Sequence, residues 1–390
     1  MPVTKTPRIE VVDALRGFAI MAIFLVHSLE HFIFPVYPVN PPAWLNTLDQ
    51  GVITLIFSLF AGKAYALFAL LFGFTFYIQS RNQREKGKDF GYRFLWRLVL
   101  LIAFAALNAA FFPGGDALLS FVIIGLVLFV ARNWKDHAIL IVSIIFLLQP
   151  VEWFHYAAHL VNPDYTLPNL GTDALYATVT EANKTGDFAS FLLANVTTGQ
   201  KASFFWAVGA GRTLQTAGLF LLGLYLGRKQ FFLPTGKNNR FWIKILIVAA
   251  IVSTPLYQLR EVILTHGELT QKTAGTAFDM WQKLSFTFIL ISSFVLLYQK
   301  DRFRNAVSNL RIYGKMSLTN YISQSILGAI VYFPFGLNLA PYCGYTVSLL
   351  IGIALIMLQI RFCKWWLARH RQGPLESLWH KWTWLRSTRK

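Results

Sequence analysis

The sequence predicts an all-α polytopic membrane helix bundle of about ten transmembrane helices with both termini in the cytoplasm. Three observations lead there. Hydrophobic residues make up 55% of the 390-residue chain and charged residues only 14%, where a soluble domain carries about 25% charged residues. The apolar residues gather in long runs, and the mean hydropathy is +0.48. Lysine and arginine then fall between the runs, on alternate sides.

In order, the runs are Ala14–Phe34, Val52–Ile78, Leu95–Phe112, Ala117–Ala131, Ala138–Leu160, Phe204–Gly227, Phe241–Leu259, Leu284–Tyr298, Met316–Phe335 and Tyr345–Leu367. Most approach the roughly 20 residues that cover the hydrocarbon layer. The fourth and eighth are short. The second is long, and Gly62-Lys63 inside it predicts a kink or a re-entrant start. The first carries charges at its start and has no small-residue cleavage site after it, so it reads as a retained helix.

With a cytoplasmic N-terminus, the inside loops are 79–97, 132–137, 228–244, 299–315 and the tail from Arg361. Together with Lys5 and Arg8 they hold 28 of the 36 basic residues. One missed helix would swap the side of every later loop, so this bias supports the count. The same distribution explains the net charge of +18 without a nucleic-acid partner, because the charge forms no phosphate-tracking stripe.

The whole chain reads as a single transmembrane domain, 1–390. Within it, the polar outer stretch 161–203 is a candidate cap or entrance, and 260–283 a candidate surface helix. The tail, 368–390, and the end of the last run mix basic residues with Trp365, Trp366, Trp379, Trp382 and Trp384, which suits a segment at headgroup level. Cys343 and Cys363 fall at opposite ends of the last helix and predict no disulfide.

The first run carries the most chemistry. At 100° per residue, His27 lies about 20° around the helix from Arg16, Asp13 and His31 about 60°, and Glu30 about −40°. Each ionisable group at membrane depth costs roughly 2.5–3.5 kcal/mol, so this wedge must face the protein interior or a wet cavity. Asp13 and Arg16 also suit the inner boundary, and Glu30 and His31 the outer one. His27-x-x-Glu30-His31 has the spacing of a zinc motif, but without a third ligand elsewhere the expectation is no metal.

Other polar residues sit at membrane depth. Lys63 and Arg212 are candidates for holding an anionic donor or pairing with Asp116, which follows Pro113-Gly114-Gly115 and also suits a helix N-cap. Asn320, Tyr321 and Gln324 make the ninth run polar, as interhelical hydrogen bonds or a substrate surface would require. His155 and His159 lie one turn apart near the outer end of the fifth run.

Five segments carry a resemblance: Arg8-Ile-Glu-Val-Val-Asp-Ala-Leu-Arg-Gly-Phe-Ala-Ile-Met21, Leu67-Phe-Ala-Leu-Leu-Phe-Gly73, Gly115-Asp116-Ala-Leu-Leu, Gly314-Lys-Met-Ser-Leu-Thr-Asn-Tyr-Ile-Ser-Gln-Ser325 and Gly373-Pro-Leu-Glu376-Ser-Leu-Trp379. In these, over nearly the whole chain, the sequence resembles the YeiB-like family of bacterial membrane proteins. That family is grouped by similarity with transmembrane acyltransferases, which modify envelope polymers. Arginine, ten residues, then histidine on the first helix marks the wider group, and Arg16 and His27 reproduce it. The match departs at His27, where many YeiB-like members carry Asn, and at Asn108, where many carry His.

The resemblance implies an O-acyltransferase of the bacterial cytoplasmic (inner) membrane, using acyl-CoA as donor. Arg16, Lys63 and Arg212 would serve the donor. His27 would be the general base, with Glu30 and Asp116 beside it, and His31, Asn108, Asn320, Tyr321 and Gln324 would meet the acceptor. The physical case is independent: Arg16 and His27 are about 16 Å apart along the helix, and an imidazole near its usual pKa of about 6.5 suits proton abstraction. The partners implied are the bilayer, a small-molecule or glycan acceptor and, as an option, a second copy in a homodimer. The alternative is a transporter of a small or lipid-linked solute along the same polar line.

Overall fold

Helices in the computed structural model begin and end where the sequence changes character. Residues 9–33, 38, 41–184 and 186–385 are described, and among them there are helices and helical turns but no strand. Lys5, Arg8, Phe34, Arg386, Arg389 and Lys390 lie outside the described residues.

The chain runs through α1 (Glu10–Glu30), α2 (Ala43–Phe60), α3 (Lys63–Arg84), α4 (Gly91–Phe111), α5 (Ala117–Ala131), α6 (Asp136–Leu147) and α7 (Pro150–Val161). A smaller group follows: α8 (Thr172–Lys184), α9 (Phe188–Ala194) and α10 (Gln200–Gly209). Then come α11 (Arg212–Arg228), α12 (Gly236–Ile263), α13 (Glu268–Thr270), α14 (Thr276–Leu297), α15 (Asp301–Ala306) and α16 (Ser308–Lys315). The last three are α17 (Ser317–Tyr332), α18 (Tyr345–Leu367) and α19 (Pro374–Thr383).

Among the described residues, six helical stretches are long and apolar enough to cross a membrane, or seven if the bent pair α6–α7 is one span. The protein is thus a multipass helical membrane protein, and local features explain why the ten runs do not give ten such helices. The fifth run bends by 45° at Gln149, whose φ is +58°. The sixth breaks at Gly211, with φ +67°. Helices α5, α11 and α17 have 15, 17 and 16 residues. Much of α11 and α17 is buried by neighbouring helices, so neither depends on a long apolar face toward lipid. The eighth run is longer than its apolar stretch, because the helix starts at Thr276 inside the polar segment. There Asp279 accepts from both Lys283 and Arg260, which lets charged residues sit on a helix.

Position in the bundle follows composition. Of the most apolar window of α1, 78% is buried inside the protein; of α12, only 11%, and α12 exposes Ile247, Val248 and Ile251 as a lipid-facing helix would. Glycines let the central helices touch. A Cβ at Gly17 would meet the Leu310 carbonyl oxygen at 1.9 Å, and one at Gly314 would meet that of Asp13 at 1.9 Å. Gly73 and Gly223 do the same for α3 against α11. Small residues permit such backbone approach, which drives association where lipid removes the hydrophobic incentive.

The Gly-Pro-Leu-Glu segment has a mechanical role. Pro374 opens α19, and Glu376 reaches back to cap α17, accepting from Leu318 N at 2.6 Å, Thr319 N at 3.0 Å and Thr319 Oγ1 at 2.6 Å. The tail also docks on α4: Trp379 Nε1 donates to the Arg97 carbonyl, and Trp96 Nε1 to that of Trp382.

Candidate functional site

The polar wedge of α1 opens into two cavities rather than one. Arg16 lines the first and His27 the second. Both residues sit on one unbroken helix, so their positions are about 16 Å apart along it.

The His27 cavity has a volume of about 650 Å³. Its walls come from the end of α1, the α2–α3 corner at Gly62, the start of α5, the inner face of α8 and the start of α11. Gly115 sets the corner before α5: its φ is +84°, and a Cβ there would sit 2.0 Å from the Gly199 carbonyl. Asp116 follows as the N-cap of α5, accepting from Leu118 N at 3.1 Å. Its other oxygen accepts from the Tyr321 hydroxyl at 2.6 Å. Asp116 is therefore both cap and cavity wall, and is fixed in orientation.

His27 is differently placed. Its ring packs edge-on against Phe112 at 4.7 Å and His31 at 5.1 Å. It makes no hydrogen bond among the described residues, and its Nδ1 is buried without a partner. Neither Glu30 nor Asp116 bonds the imidazole; the nearer contact of Glu30 is His31 Nε2, at 3.9 Å. Ligand atoms of His27, Glu30 and His31 lie within 4.8 Å of one another, the reach of a single metal ion. Glu30 belongs to the motif itself, and its carboxylate is the third group of that cluster.

The Arg16 cavity is smaller, about 280 Å³, and its cationic lining is Arg16, Arg97, Lys315 and Arg371. Arg16 donates to Asp13 at 3.0 Å and to Thr75 Oγ1 at 2.9 Å. Arg97 lies over the Trp379 ring at 4.0 Å and donates to Thr383. The tail helix completes the wall with Glu376, Trp379 and His380. Burial pushes the Glu376 carboxyl up and the His380 imidazole down, the latter helped by Arg97.

Phe68, Leu118, Phe121 and Tyr321 line both cavities and so form the wall between them. The Phe68 ring stacks on Tyr321 at 6.3 Å and on Phe121 at 5.9 Å. Sequence periodicity on α1 could not show this wall, since its side chains come from α3, α5 and α17.

The structure brings together His27, Glu30, His31, Asp116, Tyr321 and Arg212 around the larger cavity. It separates Arg16 from them. Lys63 is buried beside that cavity, with its Nζ donating to the Phe57 carbonyl. Asn108, Asn320 and Gln324 line neither cavity. Asn108 accepts from Ser325, Asn320 donates to the Tyr313 carbonyl, and Gln324 donates to the Tyr313 hydroxyl. They belong to a hydrogen-bonded joint among α4, α16 and α17. His155 bonds the Tyr165 hydroxyl instead of facing a cavity. Reading the sequence missed Lys283 and Tyr65 of the larger cavity and Arg97, Lys315 and Arg371 of the smaller. The signal for Lys283 was its i,i+4 spacing from Asp279, which marks a helix.

Residues 226–386 match a family described as "Protein of unknown function (DUF418)". The chain is 28% identical over 391 residues to an uncharacterized 39.9 kDa protein in the amylase 3′ region of Bacillus acidopullulyticus, covering 99% of this chain and 96% of that one. It is 26% identical over 408 residues to the uncharacterized protein YxaH of Bacillus subtilis (strain 168), covering 98% and 96%. It is 23% identical over 401 residues to the uncharacterized protein YeiB of Escherichia coli (strain K12), covering 95% of each. No solved structure matches. The family match contains Gly314 and Glu376 but neither Arg16 nor His27, which fall within the longer similarities.

Proposed function

The chain is a YeiB-like protein of a family of unknown function, and from its two cavities we propose that it is a membrane-bound O-acyltransferase. One observation carries this reading: Arg16 and His27, on a single helix, line separate cavities that share Phe68, Leu118, Phe121 and Tyr321 as a common wall. A reaction joining a donor from one side with an acceptor from the other needs such a layout.

On this reading the chain crosses the bacterial cytoplasmic membrane ten times, both termini face the cytoplasm, and the Arg16 cavity opens inward. Its four cationic residues would meet the phosphates of acyl-CoA at the mouth. The cavity suits the pantetheine arm rather than the whole nucleotide. The thioester then reaches the wall at Phe68 and Tyr321.

In the His27 cavity the imidazole takes the proton from an acceptor hydroxyl. The hydroxyl oxygen bonds the acyl carbon, the carbon–sulfur bond breaks, and the proton returns to the departing thiolate. Ester and free thiol result. The absence of hydrogen-bond partners on His27 supports this role, because a free imidazole can meet a substrate hydroxyl. His27→Ala tests it. Membranes containing the variant should lose acyl transfer while the protein keeps its unfolding temperature; unchanged transfer would remove His27 from the chemistry.

A second reading has its own support. Two cavities back to back across a wall also suit a transporter of a small or lipid-linked solute. Flux in liposomes with no covalent product and no acyl-CoA binding would favour it.

A further inference from the structure

The His27 cavity contains a cation that proton abstraction does not use. Arg212 opens α11, and its guanidinium lies over the rings of Tyr65 at 5.2 Å and Trp206 at 5.0 Å. It makes no hydrogen bond or ion pair among the described residues, and its Nε is buried without a partner. Lys283 reaches the same place from α14. A Cβ at Gly62 would meet Lys283 Cδ at 2.8 Å and Arg212 Nη2 at 3.5 Å. Gly62 thus leaves the space in which the two side chains converge.

Carboxylates nearby do not answer Arg212. Asp279 is shared by Lys283 and Arg260, and Arg260 also holds Glu261. Glu152 approaches the other side of the α11 start, against Gly211, without forming an ion pair. A guanidinium that lines a cavity, with its Nε buried and no anion to answer it, marks a site for an anionic ligand. The two ring contacts use none of its N–H donors, which remain for an oxyanion.

We infer that Arg212 and Lys283 form a phosphate-binding site in the His27 cavity, so that the acceptor carries a phosphate near its reacting hydroxyl. A carboxylate could be satisfied by the arginine fork alone, whereas phosphate has oxygens for the fork and for the lysine point charge together. Such an acceptor is either a phospholipid headgroup or a soluble phosphate ester. Assigning the phosphate to an acyl acceptor rests on the proposed transfer reaction; the site itself does not.

The test uses the full-length protein purified in maltoside, which contains no phosphate. Glycerol 3-phosphate is titrated while the unfolding temperature is followed, with glycerol and acetate as controls. Lipid phosphorus retained after washing is measured in parallel. Wild type should show saturable stabilisation by glycerol 3-phosphate, retained phospholipid, or both, the choice identifying the source. Affinity or retention should fall roughly tenfold or more in Arg212→Gln and Lys283→Gln. It should persist in Arg16→Gln, and Arg212→Lys should keep part of it, which separates lost charge from lost fold. Neither signal in wild type, or equal signals in Arg212→Gln, would overturn the site. Acyl-CoA binding on the same samples separates the two ideas, since its absence with an intact phosphate site would sink only the transfer reaction.

Discussion

At one end of α1, Arg16 is tied to Asp13 and Thr75, Arg97 rests on Trp379 and bonds Thr383, and Glu376 accepts from three donors. At the other end, His27 and Arg212 have no hydrogen-bond partner among the described residues. The first region is a braced frame whose charges are held ready. The second keeps reactive groups unsatisfied, and buried polar groups are seldom left so without a ligand to meet. Bracing suits a site for a large donor common to many reactions. Open valence suits the place where bonds change.

The largest predicted effect breaks the comparison at the reactive end. His27→Ala should lower acyl transfer by roughly a hundredfold or more, the usual range for losing a general base, with acyl-CoA affinity unchanged by equilibrium binding. Next is the wall between the regions. Phe68→Trp should slow transfer severalfold in a product assay while both cavities keep their ligands, because only passage between them is obstructed. A smaller effect belongs to the braced end. Glu376→Ala removes the cap of α17 at a cost of about 1 kcal/mol; limited proteolysis should find the 368–385 tail released and acyl-CoA affinity reduced. The smallest effect is expected from a chelator, which should leave transfer unchanged. Stoichiometric zinc in the purified protein, lost together with activity, would instead make His27, Glu30 and His31 ligands.

How much of this was legible in the sequence differs between the two regions as well. The wedge from Asp13 to His31 follows from helical period alone, and the structure keeps Asp13 to Glu30 on one helix with His31 as its C-cap. Its division into two cavities was hidden, because the dividing side chains Phe68, Phe121 and Tyr321 come from three other helices. Periodicity within one helix says nothing of what faces it. Helix breaks were partly legible: Gly62 interrupts its run visibly, and Pro150, which opens α7 directly after the positive-φ Gln149, marked the break in the fifth run, although the apolar run continues through it. Lys283 was misplaced because apolarity defined the runs, and α14 begins two turns earlier through its paired charges. Polar residues of α17 divided in two. Asn320 and Gln324 serve the helix joint, while Tyr321, of these three, reaches the site. Composition treats all three alike.

The most direct test of a donor cavity distinct from a reactive cavity is equilibrium binding of acyl-CoA to the purified protein. Wild type, Arg16→Gln, His27→Ala and Arg212→Gln would be compared side by side. The account predicts saturable binding that weakens roughly tenfold or more in Arg16→Gln and is unchanged in the other two variants. Binding lost in His27→Ala or Arg212→Gln but retained in Arg16→Gln would place the donor in the wrong cavity and contradict it.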